Sequence, residues 1–260
     1  MTVRMPAVAG LFYPADANQL QQDVSGLLQN AKLSLDQPPK VLIVPHAGYI
    51  YSGPTAASAY KLLQPLQSVI KRVVLLGPAH RVYLQGMALP GVDAFATPLG
   101  EVELDSAMLA QLAALPGVCT STTAHRDEHS LEVQLPFLQL LLENFRLVPV
   151  VVGECAPATV ATVLDAAWGG PETLIVISSD LSHFLGYAQA QLVDGNTSRK
   201  ILSKQPSLTS TEACGAFAVN GLFTASHCAD LTITGTDLRN SGDTAGDRKR
   251  VVGYGAFALH

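Results

Sequence analysis

Three histidines stand just past the ends of apolar runs. His46 follows Val41-Leu42-Ile43-Val44-Pro45, His80 follows Val73-Val74-Leu75-Leu76-Gly77-Pro78-Ala79, and His183 closes Leu174-Ile175-Val176-Ile177-Ser178-Ser179-Asp180-Leu181-Ser182-His183. Imidazole binds iron, copper, zinc and nickel, so three converging rings would make a metal site without naming the metal. Two histidines with a carboxylate suit non-haem iron(II) and leave positions for substrate and dioxygen, whereas three histidines in a tetrahedron suit zinc with a bound water. Asp180 lies three residues before His183 and has three roles open to it: a ligand, an acceptor orienting a ligand imidazole, or a turn cap. His129 is close in sequence to Glu128 and Glu132, which favour its charged form. That suits acid–base work or an anion contact, and equally a histidine that bonds a backbone group at a helix start. His125, His227 and the C-terminal His260 are read as structural.

The elements that must position these rings follow from periodicity. Continuous apolar, largely β-branched runs suit strands buried on both faces, as in a parallel sheet covered by helices. Ligands of such sheets bind outside the carboxyl ends of the strands, where all three histidines are delivered. Convergence requires those strands to be neighbours. Helices are expected from Asn18 to Ala31 behind an Asp16 cap, from Pro54 through Leu63, and from Asp105 to Leu115. Others are expected after Ser130, with His129 and Glu132 on one face of the first turn, then over Pro157–Ala167, Ala188–Leu202 and Glu212–Ala225. Further strands are expected at 101–104, 147–152, 231–234 and 251–259. The fold class is α/β, with residues 1–260 forming a single domain around a mostly parallel central sheet flanked by helices.

Composition bounds the function. A net charge of −5, with Arg248-Lys249-Arg250 as the longest basic cluster, argues against a nucleic-acid surface. Cys119, Cys155, Cys214 and Cys228 form no C-x-x-C pair and fit reduced thiols. The first residues lack the apolar core of a signal peptide and no stretch approaches a membrane span, so a soluble cytoplasmic protein is expected. Neither common glycine-rich phosphate loop is present. Tyr49 and Tyr51 flank the His46 loop, where they either line a pocket or simply pack.

Several ordered motifs carry a resemblance. They are Ala7-Val8-Ala9-Gly10-Leu11-Phe12-Tyr13-Pro14, Pro45-His46-Ala47-Gly48-Tyr49-Ile50-Tyr51-Ser52-Gly53, Gly77-Pro78-Ala79-His80, Thr97-Pro98-Leu99-Gly100 and Glu128-His129-Ser130-Leu131-Glu132. Ser178-Ser179-Asp180-Leu181-Ser182-His183, Ser241-Gly242-Asp243-Thr244 and Val251-Val252-Gly253-Tyr254 complete the set. Over nearly its whole length the chain resembles the Memo family. The resemblance implies a fold like that of the class III extradiol dioxygenases, whose iron(II) opens catechol rings with dioxygen. It also implies a bacterial setting beside a radical-SAM protein and an AMMECR1-like protein. Animal members are known for roles in cell motility, phosphopeptide binding and copper or iron binding.

Carried over, the family's metal-pocket histidines fall on His46, His80 and His183, and its pocket aspartate on Asp180. Animal members add a pocket cysteine near the C-terminus. Aligned on Val252-Gly253-Tyr254, this chain offers Thr244 there, with Asp243 beside it, while Cys214 in Ala213-Cys214-Gly215 matches a different motif. The loop is expected to approach the histidines with Asp243 turned outward. The resulting expectation is a metal-binding, dioxygenase-like protein with Fe(II), or else Cu or Zn, held by His46, His80 and His183. His129, His183 and Asp180 are the candidate catalytic residues, with His129 in the pocket but not a ligand. The ligand is a small molecule or peptide. The alternatives are a non-catalytic peptide- or phosphopeptide-binding module and a zinc-dependent hydrolase.

Overall fold

The computed structural model describes residues 2–32, 35 and 37–260. In chain order the strands are β1 (Val3–Arg4), β2 (Val41–Val44), β3 (Arg72–Pro78), β4 (Met87–Leu89), β5 (Ala94–Thr97) and β6 (Gly100–Glu103). They continue with β7 (Val118–Thr120), β8 (Arg146–Val152), β9 (Thr173–Ser178), β10 (His183–Leu185), β11 (Ile233–Asn240) and β12 (Val251–Leu259). The helices are α1 (Ala17–Asn30), α2 (Tyr49–Tyr60), α3 (Ser106–Ala113), α4 (Thr122–Arg126), α5 (Leu135–Leu141), α6 (Pro157–Ala167), α7 (Tyr187–Leu202) and α8 (Ala216–Thr224).

The main sheet runs β10-β12-β2-β9-β3-β8-β4-β7, with β11 also paired to β12. Its centre, β2-β9-β3-β8, is parallel. The three strands that precede His46, His183 and His80 are therefore adjacent, which is the condition convergence needed. The flanks are antiparallel where β12 meets β2, β10 and β11, and where β4 meets β8, so the sheet as a whole is mixed. β1, β5 and β6 form a small separate sheet.

Alternation along the central strands explains why the runs had to be apolar throughout. Leu42, Val44, Leu174, Val176, Val73 and Leu75 join one core with side chains of α1, α2 and α5. Val41, Ile43, Ile175, Ile177, Val74 and Leu76 join the other with α3, α6, α7 and α8. Both faces are buried, as the parallel-sheet reading required. Asp16 and Asp105 cap α1 and α3 as expected, accepting from the Gln19 and Met108 amides at 2.9 Å.

Several element boundaries differ from expectation, among them the strand expected at 231–234, which is β11 at Ile233–Asn240. α2 begins at Tyr49 behind Gly48, so Pro54 lies inside the helix and leaves it one backbone bond short. The helix expected after Ser130 is a 3₁₀ turn, Glu132–Gln134, followed by α5 with Pro136 in its first turn. His129 therefore precedes the helical segment. α8 starts only after Gly215.

The amino-terminal segment is tied to this region through a buried carboxylate. Glu132 accepts from Arg4 Nη1 (2.7 Å), the amides of Ala7 (2.7 Å) and Val8 (3.0 Å), and the Tyr13 hydroxyl (2.5 Å). His125 is structural, its Nε2 lying 2.8 Å from the Ala88 carbonyl, and His227 stacks on Trp168. Tyr49 packs, donating to the Val133 carbonyl. Among the described residues no helix is long and apolar enough to cross a membrane.

Candidate metal site

Ligand nitrogens of His46, His80 and His129 all lie within 4.8 Å of one another. The His129 ring stacks on His80, with centroids 4.8 Å apart and planes 23° apart. His46 stands edge-on to both, at 5.2 Å from His80 and 5.5 Å from His129. His129 reaches the cluster from the turn before the 3₁₀ segment, and Phe12 of the amino-terminal segment packs against its ring at 4.8 Å. His183 is close enough for its charge to act on His46, while its nitrogens lie outside the 4.8 Å set.

Hydrogen bonds select the tautomers of His46, His80 and His183. Gln134 Nε2 donates to the Pro45 carbonyl (3.0 Å) and to Ser178 Oγ (2.8 Å), and Ser178 spends its own proton on the Ser130 carbonyl (2.6 Å). Ser178 Oγ, 2.8 Å from His46 Nδ1, is left only to accept, so Nδ1 is the donor and Nε2 carries the lone pair. Glu128 Oε1 accepts from His80 Nδ1 at 2.9 Å, and the Leu181 carbonyl accepts from His183 Nδ1 at 2.9 Å. In their neutral tautomers all three rings thus present Nε2 as the lone-pair atom. His129 Nδ1 is buried without a hydrogen-bond partner, its nearest carboxylate oxygen being Glu128 Oε1 at 3.4 Å. Neutral imidazoles with free lone pairs and an orphaned buried nitrogen are what a metal site requires.

The electrostatics favour the neutral forms of His46, His129 and His183. Burial, then the neighbouring His80, His129 and His183, hold the His46 pKa well below its ordinary value. Burial likewise lowers His129 to about 4 and depresses His183. Glu128 behaves oppositely: burial would raise it, but the His80 side chain, by hydrogen bond and by charge, and the His80 and Ser130 amides bring it to about 2. Asp180, also buried, is pushed up to about 7, although the His46 amide bonds it. Its Oδ1 accepts from that amide at 2.7 Å, and Oδ2 lies 3.9 Å from His46 Nε2. Asp180 therefore braces the His46 loop and also presents an oxygen to the cluster.

The pocket also holds a cysteine, at a different position from the one alignment on the chain end gave. Cys214 Sγ lies 3.3 Å from His46 Nε2 and accepts from the Asp180 amide at 3.2 Å. Burial first, then the Asp180 charge, push its thiol pKa up, so in the metal-free pocket the thiol keeps its proton. Gly215 makes this approach possible: its amide donates to Ser179 Oγ at 2.9 Å, and a Cβ there would sit 2.7 Å from the Ser179 Cβ. Thr244 and Asp243 serve their own turn instead, Thr244 bonding the Ser241 carbonyl and Asp243 accepting from the Asn240 amide and the Tyr187 hydroxyl. Asp243 is exposed and turned outward, as expected.

The donor set of imidazole nitrogens, one thiol and one carboxylate fits a divalent transition metal. Comparison with known proteins places this architecture. A family profile described as Memo-like protein matches residues 4–258. A MEMO1 family protein of Aquifex aeolicus is 36% identical over 271 residues, covering 98% of both chains. One from Archaeoglobus fulgidus is 34% identical over 271 residues, covering 99% of both. The crystal structure of an uncharacterised Escherichia coli K12 protein, JW3007, shares the fold at a TM-score of 0.53 and 12% identity, covering 85% of this chain and 100% of that one. The motifs gathered around His46, His80, His129 and Asp180 are thus set in a chain that belongs, over almost its entire length, to the Memo family.

Proposed function

We propose that this chain is a metal-dependent, dioxygenase-like protein whose histidine pocket holds non-haem iron(II) and acts on a small molecule. The observation that carries the reading is the convergence of His46, His80 and His129 within 4.8 Å, with the His46 and His80 lone pairs aimed by Ser178 and Glu128. His46, His80 and His129 would hold the ion, with Cys214 as a neighbouring donor. Iron(II) there supplies a redox centre able to bring dioxygen and an organic ligand together. The protein supplies orientation and proton handling. Glu128 fixes the His80 ring, and Asp180 Oδ2 is poised to hold or release a proton because its pKa lies at about 7. His183 Nε2, unprotonated and beside the cluster, is a proton acceptor. Phe12, in the segment anchored by Glu132, packs against the His129 ring.

Cys214 favours a second reading. A thiol beside His46 Nε2 is a softer donor than a carboxylate and suits zinc or copper(I). Anaerobic titration of the metal-free protein with Fe(II), Zn(II) and Cu(I), followed by oxygen-uptake assays of the iron-loaded form on a substrate panel, separates the two. Tight iron binding with substrate-dependent oxygen uptake supports the first reading. Zinc or copper binding with no oxygen uptake supports the second.

A further inference from the structure

The longest basic run of an acidic chain is delivered to the edge of the histidine pocket. β10 and β12 pair with His183 opposite Val252 and Leu185 opposite Val251, and the register slips between them. Phe184 occupies the slip in a left-handed conformation, φ 59°, with 61% of its surface exposed. Backbone strain and solvent exposure both count against a phenylalanine there, and strained non-glycine residues cluster at ligand sites. Its ring stands 5.8 Å from that of His183, and the Arg250 guanidinium lies 4.9 Å from its centroid. A guanidinium resting on a ring keeps its N–H edges available for a carboxylate or phosphate.

Arg81, exposed and next in the chain to His80, lies near enough to His129 for its charge to bear on that ring. Among the described residues neither Arg81 nor Arg250 has an ion-pair partner. The acids nearest Arg250 in the chain are already engaged. Asp247 accepts from the Lys249 amide at 2.7 Å, and Asp243 bonds Tyr187 and the Asn240 amide.

We propose that Phe184, Arg250 and Arg81 form the recognition rim of this pocket and select a small anionic ligand with an apolar body. The anionic group meets the guanidinium edges, the apolar body lies on Phe184, and the remainder reaches past His183 toward the cluster. The proposal deepens the functional reading above and rests on it only for the location of the pocket. A small molecule is favoured because the rim offers one ring and two cations around a pocket whose innermost histidine is only 2% exposed.

The test uses full-length, chelator-treated protein with hexanoate, hexyl phosphate and hexanol as probes, followed by ligand-observed NMR. At least one of the acids should bind about ten-fold more tightly than hexanol, and the tighter acid identifies carboxylate or phosphate as the natural group. Arg250→Met and Arg81→Met should each weaken the acids several-fold and leave hexanol unchanged. Phe184→Gly should weaken all three probes while the unfolding midpoint holds or rises, because glycine adopts this φ freely. Equal binding of hexanol and the acids would overturn the anion selection. A lower midpoint in Phe184→Gly with unchanged binding would make Phe184 purely structural. Binding of hexaglutamate but of neither acid would replace the small molecule with an acidic peptide and overturn the proposal. Metal uptake is measured on the same variants. Anion selectivity without metal binding sinks the metal reading alone, and metal binding without selectivity sinks this one alone.

Discussion

Replacing Glu128 by glutamine should disarm the metal site without touching a metal-binding atom. The Glu128 side chain is 1% exposed, and its two oxygens serve different donors. Oε2 accepts from the His80 amide at 2.6 Å, while Oε1 accepts from His80 Nδ1 and from the Ser130 amide, each at 2.9 Å. Glutamine keeps only one acceptor oxygen. If its NH₂ takes the Oε2 place, it confronts the His80 amide, which cannot become an acceptor. If it takes the Oε1 place, the Ser130 amide is orphaned and His80 must move its proton to Nε2, removing the lone pair from the pocket. Either arrangement leaves a buried amide unpaired, at about 1–3 kcal/mol. Loss of an orienting partner of a ligand histidine typically weakens metal binding by about 10–100-fold, or ~1.4–2.7 kcal/mol. Competition against a chelator of known affinity measures the loss, circular dichroism verifies the fold, and ¹⁵N shifts of His80 report its tautomer. A folded Glu128→Gln protein with wild-type metal affinity and an unchanged His80 tautomer would refute this reasoning.

Glu132→Gln leaves the buried Arg4 guanidinium without its anion and should cost about 3–5 kcal/mol in denaturant unfolding. A loss below ~1 kcal/mol would mean the segment is held elsewhere. His125, buried with its pKa lowered from 6.5 to about 4, stabilises the fold only while neutral. That contribution is complete above about pH 6.5 and shrinks as pH falls toward 4, by roughly 2 kcal/mol at pH 5. A His125→Gln protein should lack that part of the wild-type pH slope between pH 7 and 5, and equal slopes would count against it. Cys214→Ser should weaken Zn(II) and Cu(I) by about ten-fold or more and Fe(II) by less, as read by competition titration; equal losses for all three metals would remove the thiol's softness from the account.

The parts of the fold that were legible are those set by local pattern. β-Branched runs closed by proline or small residues placed the strand ends before His46, His80 and His183, and the bounds of α6 and β12 followed from Pro157 and from the run after Arg250. Pro54 misled because proline signals a helix start most strongly, yet Gly48 and the packed residues after it begin α2 one turn earlier. Membership in the site was harder to read where long-range contacts decide it. His129 joins the cluster because Glu128 is drawn to His80, 48 residues away in sequence. Cys214 arrives through the packing of Gly215 on Ser179, 36 residues apart, and no spacing rule encodes that approach. Asp243 shows the reverse: a capping box with Asn240 is a local signal, and it keeps the carboxylate out of the pocket.

The proposed site holds one metal ion in the cluster around His46 and His80, with His183 beside it as a proton acceptor. Anaerobic equilibrium dialysis against Fe(II), on wild type, His80→Ala and His183→Ala, tests it most directly. About one ion per chain is expected in wild type and in His183→Ala, and none in His80→Ala. Uptake that survives in His80→Ala, or that vanishes in a folded His183→Ala, would contradict it.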